Sequence, residues 1–503
     1  MKGYILAIVF SLLIIAALAG RGRKFRGRKS RPKFRKACNR ASKVDKEYII
    51  KIDPSATMDE VKEHYDATRS LFMRDNDNMV EPDSFTAAGR GRCRISRRSK
   101  FIEINEFKAY TISCASQRTV DAIMKYSIVE EVEESVTVTL DSDTLSPIGG
   151  RVKRQRNRER CLRRPKCACR RYNIGCPTEA PTTTTITQAP TTTTQGPTTT
   201  TQAPPATTYT PACGADIISC VTRNVNSWGL DRLDDIDDNQ LLAEGTGKDV
   251  DVYIVDTGVR YTHDEFCGRV EPGISFISGT SSADDDNGHG THVAGTVAGK
   301  TLGVAQDATI IPVKVLAASG SGSTAGIASA LGWIREQYSS RGRKAVINMS
   351  LGCTCTTNSI DDALAAAIND GIIATVSAGN SNADACGHTP ARTSTALTVA
   401  ASTTLDRRAS YSNYGPCVDI YAPGSGILSA WYTSDSATAT LSGTSMAAPH
   451  VAGVAAAYLG TVTNNPTPAE VRTWLINNSL QNQITNNPYG PNDLLQAARC
   501  GRK

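Results

Sequence analysis

Three short stretches carry residues able to do nucleophilic chemistry, and their order along the chain is Asp, His, Ser. VYIVDTG (252–258) is a β-branched run closing on Asp256. It reads as a buried parallel strand that delivers a carboxylate to its C-terminal end, the edge where sites collect in open α/β sheets. In NGHGTHVAG (287–295), Gly288 and Gly290 free the backbone around His289, and a small-residue helix follows. LSGTSMAAPHVAGVAAAYL (441–459) has no charge after His450. That pattern predicts a helix buried on every side, with Ser445 at the positive end of its dipole. Pro449 is expected in the first turn, where its missing N–H is not needed. A serine hydroxyl is a weak nucleophile until a base takes its proton, and a carboxylate can fix the tautomer of a histidine base. GTS alone could equally be the N-cap of a core helix. His289 and His292 could suggest a metal pair, but the spacing is not HExxH and no glutamate lies between them.

Taken together, DTG, HGTHVAG and GTSMAAPHVAG resemble the motifs of the subtilisin-type serine proteases, proteinase K branch, over residues 213 to about 496. The resemblance implies an α/β fold, a parallel sheet flanked by helices, with Asp256, His289 and Ser445 as catalytic triad. ATVSAGN (374–380) resembles the strand whose Asn380 completes the oxyanion hole beside the Ser445 N–H. GTSMA is not the GxSxG elbow of lipases and esterases. Gly320-Ser321-Gly322 and Ser350-Leu351-Gly352 match the two segments that pair with an extended peptide, a main-chain mode tolerant of side chains. Ala378 and Gly379 would line an S1 pocket with small groups. With no acid in these segments, cleavage after apolar or aromatic residues is expected.

The resemblance also implies a structural Ca²⁺ held by Asp419 with backbone oxygens near Ser394 and Ala396, and no catalytic cofactor; a carboxylate with carbonyls suits that ion. Cys386 and Cys417 fall where related enzymes carry a disulfide, whereas the family's second bridge is absent. The pairing of Cys213, Cys220, Cys267, Cys353, Cys355 and Cys500 is not deducible. Asp284-Asp285-Asp286 reads as a solvated loop. Asn348 begins a sequon on an expected core strand; Asn477 begins one expected to be exposed.

The elements ahead of that region have their own organisation. Residues 1–19 read as a secretory signal peptide, and fifteen cysteines agree with an oxidising, extracellular destination. No later stretch approaches membrane-spanning length. Residues 20–46 form a basic leader: Arg21–Lys43 holds twelve Lys or Arg and no acid, a solvated segment or a polyanion-binding arm. Residues 213–503 carry 18 Lys+Arg against 27 Asp+Glu, while the first 212 carry 38 against 22, so the two parts have opposite net charge and an electrostatic attraction between them is expected.

Residues 47–140 alternate as strand, helix, strand, helix, strand, which fits a small ferredoxin-like α/β unit. FKAY and VDAIMKYSIVEEVEE resemble the inhibitory propeptide of the same family, whose tail lies in the active site until cleaved. Residues 141–160 hold Arg151-Val152-Lys153-Arg154, which resembles a proprotein-convertase site. Cys161, Cys167, Cys169 and Cys176 lie in a knob at 161–176, read as disulfide-linked rather than zinc-binding. Residues 177–211 are a Thr/Pro-rich linker and a candidate O-glycosylated stalk.

The reading is therefore a secreted, monomeric zymogen acting on peptides, without nucleic acid as a partner. Its cuts are expected near Leu140 or Leu145 and after Arg154. A chain that cleaves itself once and then serves as a binding or escort protein, with its propeptide retained, would share the same motifs.

Overall fold

The computed structural model describes residues 33–35, 43–76, 94–95, 102–104, 107–113, 120, 122–140, 221–235, 238–243, 245–355 and 357–497. The signal peptide, most of the basic leader, the segment with Leu145, Arg151 and Arg154, the cysteine knob and the Thr/Pro linker lie outside those residues.

The N-terminal unit is built from β1 (Lys43–Ile52), α1 (Met58–Asn76), β2 (Ile102–Ile104), β3 (Phe107–Ser113) and β4 (Val129–Thr139). β1 runs antiparallel to both β3 and β4, and β2 pairs antiparallel with β3. The order β2-β3-β1-β4 is the ferredoxin-like arrangement. The three-residue β2 and two further short strands of this sheet, Lys33–Arg35 and Arg94–Ile95, are ones the alternation pattern missed, being too short to show a period of two. Side-chain alternation splits this sheet: Ile50, Ile52, Tyr110, Ile112 and Val132 form its own core. Ile49, Ala109 and Val138 face the other way, into the apolar layer of the larger unit.

The larger unit contains, in chain order, β5 (Val250–Asp256), α2 (His289–Ala298), β6 (Thr309–Lys314), β7 (Ser321–Ser323), α3 (Thr324–Arg341) and β8 (Lys344–Met349). There follow α4 (Asn358–Asn369), β9 (Ile373–Ser377), β10 (Leu397–Ser402), β11 (Ile420–Pro423), α5 (Thr444–Thr461) and α6 (Pro468–Asn477). A two-residue strand, Ile274–Ser275, leads the parallel sheet, followed by β6-β5-β8-β9-β10-β11. All seven β5 positions are buried, because helices cover both faces. Val252 and Ile254 pack with Val293 of α2 and Val451 of α5. Tyr253 and Val255 pack with Ile327 of α3 and Leu364 of α4.

Every residue of α5 from Thr444 to Ala457 is buried, as its all-round apolar pattern predicts. Pro449, however, is the sixth helical residue, beyond the first turn where it was expected. Its missing N–H would have bonded the Ser445 carbonyl. That carbonyl instead accepts the Ser350 hydroxyl at 2.8 Å. Among the described residues no helix is long and apolar enough to cross a membrane.

Candidate active site

Asp256 closes β5 and is fully buried. Its carboxylate accepts the His289 Nδ1–H at 2.8 and 2.9 Å, and the Thr257 N–H at 2.7 Å. A proton committed to Nδ1 leaves Nε2 as the basic nitrogen. Nε2 has no hydrogen-bond partner.

His289 is the first residue of α2, and the glycines around it are steric requirements. Gly288 sits at φ 111°, and a Cβ there would lie 2.6 Å from the rings of Trp431 and Tyr432. A Cβ on Gly290 would lie 2.0 Å from the Gly258 carbonyl. Asp285 holds this turn together. It is buried, not the solvated residue expected of the acidic run, and it accepts from Thr257 Oγ1, Asn287 N, Gly288 N, Thr291 N and Thr291 Oγ1. One carboxylate thus ties the residue after Asp256 to the start of the His289 helix. Its neighbours Asp284 and Asp286 are exposed, as the expectation for the run has it.

Ser445 is the second residue of α5. Its hydroxyl donates to the Ser350 carbonyl at 3.2 Å, reciprocating the Ser350–Ser445 bond. Behind this pair, Asn348 Nδ2 donates to Ser350 Oγ and Thr375 Oγ1 donates to Asn348 Oδ1. Asn348 is wholly buried, which removes it as a glycosylation site; Asn477 is exposed. Asn380 Oδ1 accepts both the N–H and the O–H of Thr444 at 2.9 Å. Those two bonds set which way the amide faces, with its donor end turned from Thr444.

Two other buried histidines lie on α2 and α5. His292 Nε2–H donates to the carbonyls of Ile427 and Ala439, and burial pushes its pKa down to about 3. Burial likewise lowers His450, to about 4. With its Nε2 committed to carbonyls, His292 does not pair with His289 on a metal. Among the described residues no group of three or more His, Cys, Asp or Glu could hold one.

The two expected substrate segments flank one extended strand, and that strand is the end of β4. Thr137 to Thr139 pair antiparallel with Ser323 to Ser321, and Thr139 bridges Gly352. The Leu140 N–H donates to the Gly320 carbonyl at 2.9 Å. Ala378 and Gly379 follow β9, with Gly379 at φ 98° and its N–H on Thr444 Oγ1. The body of the N-terminal unit docks on two helix starts. Glu133 accepts the N–H and O–H of Ser359 at the start of α4, whose own N-cap Thr357 makes no side-chain cap bond. Ser135 Oγ accepts the Ala325 N–H at the start of α3, and Lys51 pairs with Asp362.

Cys386 and Cys417 are bonded, with Cα atoms 5.3 Å apart. Cys353 and Cys355, whose pairing could not be deduced, are bonded to each other. The expected Ca²⁺ at Asp419 does not fit. Arg472 of α6 places Nη2 on Asp419 Oδ1 and donates from Nη1 to the Ser394 carbonyl at 2.8 Å. Asp419 Oδ2 accepts the Thr398 N–H at 2.8 Å. Ala396, buried between them in sequence, donates its N–H to Thr393. Two of the oxygens implied for the metal already bind a guanidinium. Nothing local in the sequence links Arg472 to Asp419, 53 positions earlier.

Residues 247–491 match the Subtilase family, peptidase S8. The chain is 48% identical over 273 residues to the "Extracellular serine proteinase" of Thermus sp. (strain Rt41A), covering 54% of this chain and 65% of that protein. It is 43% identical to "Alkaline serine exoprotease A" of Vibrio alginolyticus, over 57% of this chain and 54% of that one. A "Cuticle-degrading serine protease" of Arthrobotrys oligospora is 42% identical, over 54% of this chain and 67% of its own length. Among solved structures, a cold adapted subtilisin-like serine proteinase is 43% identical, with TM-score 0.51 over 54% of this chain and 98% of that chain. This chain belongs to the subtilase family.

Proposed function

We propose that the chain is a secreted serine endopeptidase made as a zymogen, with residues 47–140 as its inhibitory propeptide. The observation that carries the proposal is the pairing of Asp256 with His289 at the sheet edge where the chain's own residues 137–140 bind as a strand.

In this reading the Ser445 hydroxyl turns from the Ser350 carbonyl to His289 Nε2 when a peptide carbonyl is presented. His289 takes the proton as Oγ attacks, Asp256 stabilises the imidazolium, and later His289 returns the proton to the leaving amine. The oxyanion receives the Ser445 N–H and the Asn380 amide, a donor typically worth about 3–4 kcal/mol in the transition state. Gly320 to Gly322 and Ser350 to Gly352 hold substrates through the main chain. Ala378 and Gly379 favour apolar or aromatic side chains before the cut.

Thr139 bridges Gly352 and the Leu140 N–H bonds the Gly320 carbonyl, so the described strand leads into the site and supports a first cut near Leu140 or Leu145, where a leucine suits the apolar pocket.

The test is secretion of the full chain, N-terminal sequencing and a casein assay. A fragment starting just after Leu140 or Leu145 and casein hydrolysis that both disappear in Ser445→Ala support the reading. Self-cleavage with no casein hydrolysis after separation from the fragment would replace it with the escort-protein alternative.

A further inference from the structure

We propose that Arg472 is a built-in cation at the position that resemblance assigns to Ca²⁺, so that this corner of the fold holds together without the metal. Asp419 has 9% of its side chain exposed, and a carboxylate so buried requires a positive partner and hydrogen bonds. The guanidinium fork supplies both. One nitrogen meets Asp419 Oδ1, the other meets the Ser394 carbonyl, and the Thr398 N–H completes the carboxylate from the far side. A Ca²⁺ bound to these oxygens would have to sit about 2.3–2.6 Å from each, in space the guanidinium fills and against its charge.

Arg472 is also delivered on a prepared support. Thr467 and Glu470 form a reciprocal capping box at the start of α6, and Pro468 stands at its first position. Two residues after Arg472, Trp474 stacks on Tyr458 of α5 at 4.0 Å. The arginine therefore joins a helix already fixed at its start and on one face to the residues just ahead of β10 and β11. An exchangeable ion bridges only neighbouring loops; this bridge adds a helix and comes with the chain at fixed stoichiometry.

The experiment reads thermal melting, so it does not depend on the protease reading. The full chain carries Ser445→Ala to prevent self-digestion and is melted in EGTA and in millimolar CaCl2. The Arg472-containing chain should melt within about 1 °C in the two buffers, and Asp419→Asn should not change that difference. Arg472→Ala should melt about 5 °C or more lower in EGTA, on the scale of a lost buried ion-pair partner. Calcium should restore part of the loss in Arg472→Ala, and none in the Arg472→Ala/Asp419→Asn double variant. A calcium-dependent rise in the Arg472-containing chain that Asp419→Asn abolishes would overturn the proposal, as would Arg472→Ala melting like its parent. Should Arg472→Ala fail to fold, calorimetric titration of Ca²⁺ into the parent and into Asp419→Asn decides. Equal heats support the built-in cation, and binding lost with Asp419 refutes it.

Discussion

The two edges of the parallel sheet each bury an aspartate, and they use it in opposite ways. At the carboxyl edge, Asp256 ends β5 and faces a histidine whose second ring nitrogen has no partner. At the amino edge, Asp419 immediately precedes β11 and faces an arginine. Histidine gives and takes a proton near neutral pH; arginine never does. An acid that must support a proton transfer is paired with a titratable partner. An acid that must hold elements together is paired with a permanent charge.

Ser445→Ala separates the edges most sharply. It should lower kcat by about six orders of magnitude, the loss typical of removing the nucleophile of a coupled triad, while leaving the melting temperature nearly unchanged. Measurable casein hydrolysis by this variant would remove the carboxyl edge from the chemistry. Asn380→Ala should cost about two to three orders of magnitude in kcat with KM little changed. A pure KM effect would instead make Asn380 a substrate contact.

Asp285→Ala tests whether the division holds within the carboxyl edge itself. Removing a buried carboxylate that takes donors from Thr257, Asn287, Gly288 and Thr291 leaves those donors unmet, at about 1–3 kcal/mol for each buried group not rescued by water. Both melting temperature and kcat should fall. A change in only one would show that the turn's stability and the His289 position are independent.

The smallest effect concerns a fourth buried acid, Glu133, which caps α4. Burial, opposed by its Ser359 bonds, pushes it up to about 7 from the ordinary carboxylate range. A group raised on docking binds a proton more tightly when docked, so docking should be firmest in acid. It should weaken as pH rises through about 4.5 to 7, and level off above. Size-exclusion of the cut but unseparated protein should show more retained fragment at pH 5 than at pH 8, and Glu133→Gln should flatten the trend. The opposite slope would mean that the helix start, rather than burial, governs this carboxylate.

Most of the carboxyl edge was legible because each part is local: β-branched residues ending in Asp256, glycines bracketing His289, small residues after Ser445. The amino edge was legible only as an oxygen set, and the arginine that meets it was not. Arg472 sits on a helix whose pattern says nothing about Asp419, and only tertiary packing brings them together. Asp285 was hidden differently. Three consecutive aspartates have the same chemistry, and only the course of the loop selects which turns inward. Pro449 shows a third limit, since helix boundaries are soft in sequence, and a shift of a few residues changed what its missing N–H means.

The way β4 ends has a consequence for how inhibition would stop. Residues 137–140 are held by main-chain bonds and a few apolar contacts, and four such residues alone would bind weakly. Tethered to a body docked through Glu133, Ser135 and Lys51, they act at the high local concentration of a linked second site. Cutting the tail at its end leaves that linkage intact, so the first cleavage need not free the enzyme. Cutting the body breaks both attachments together. Activation should therefore be abrupt: a lag while the fragment survives, then acceleration as each freed molecule digests the fragments that restrain its neighbours.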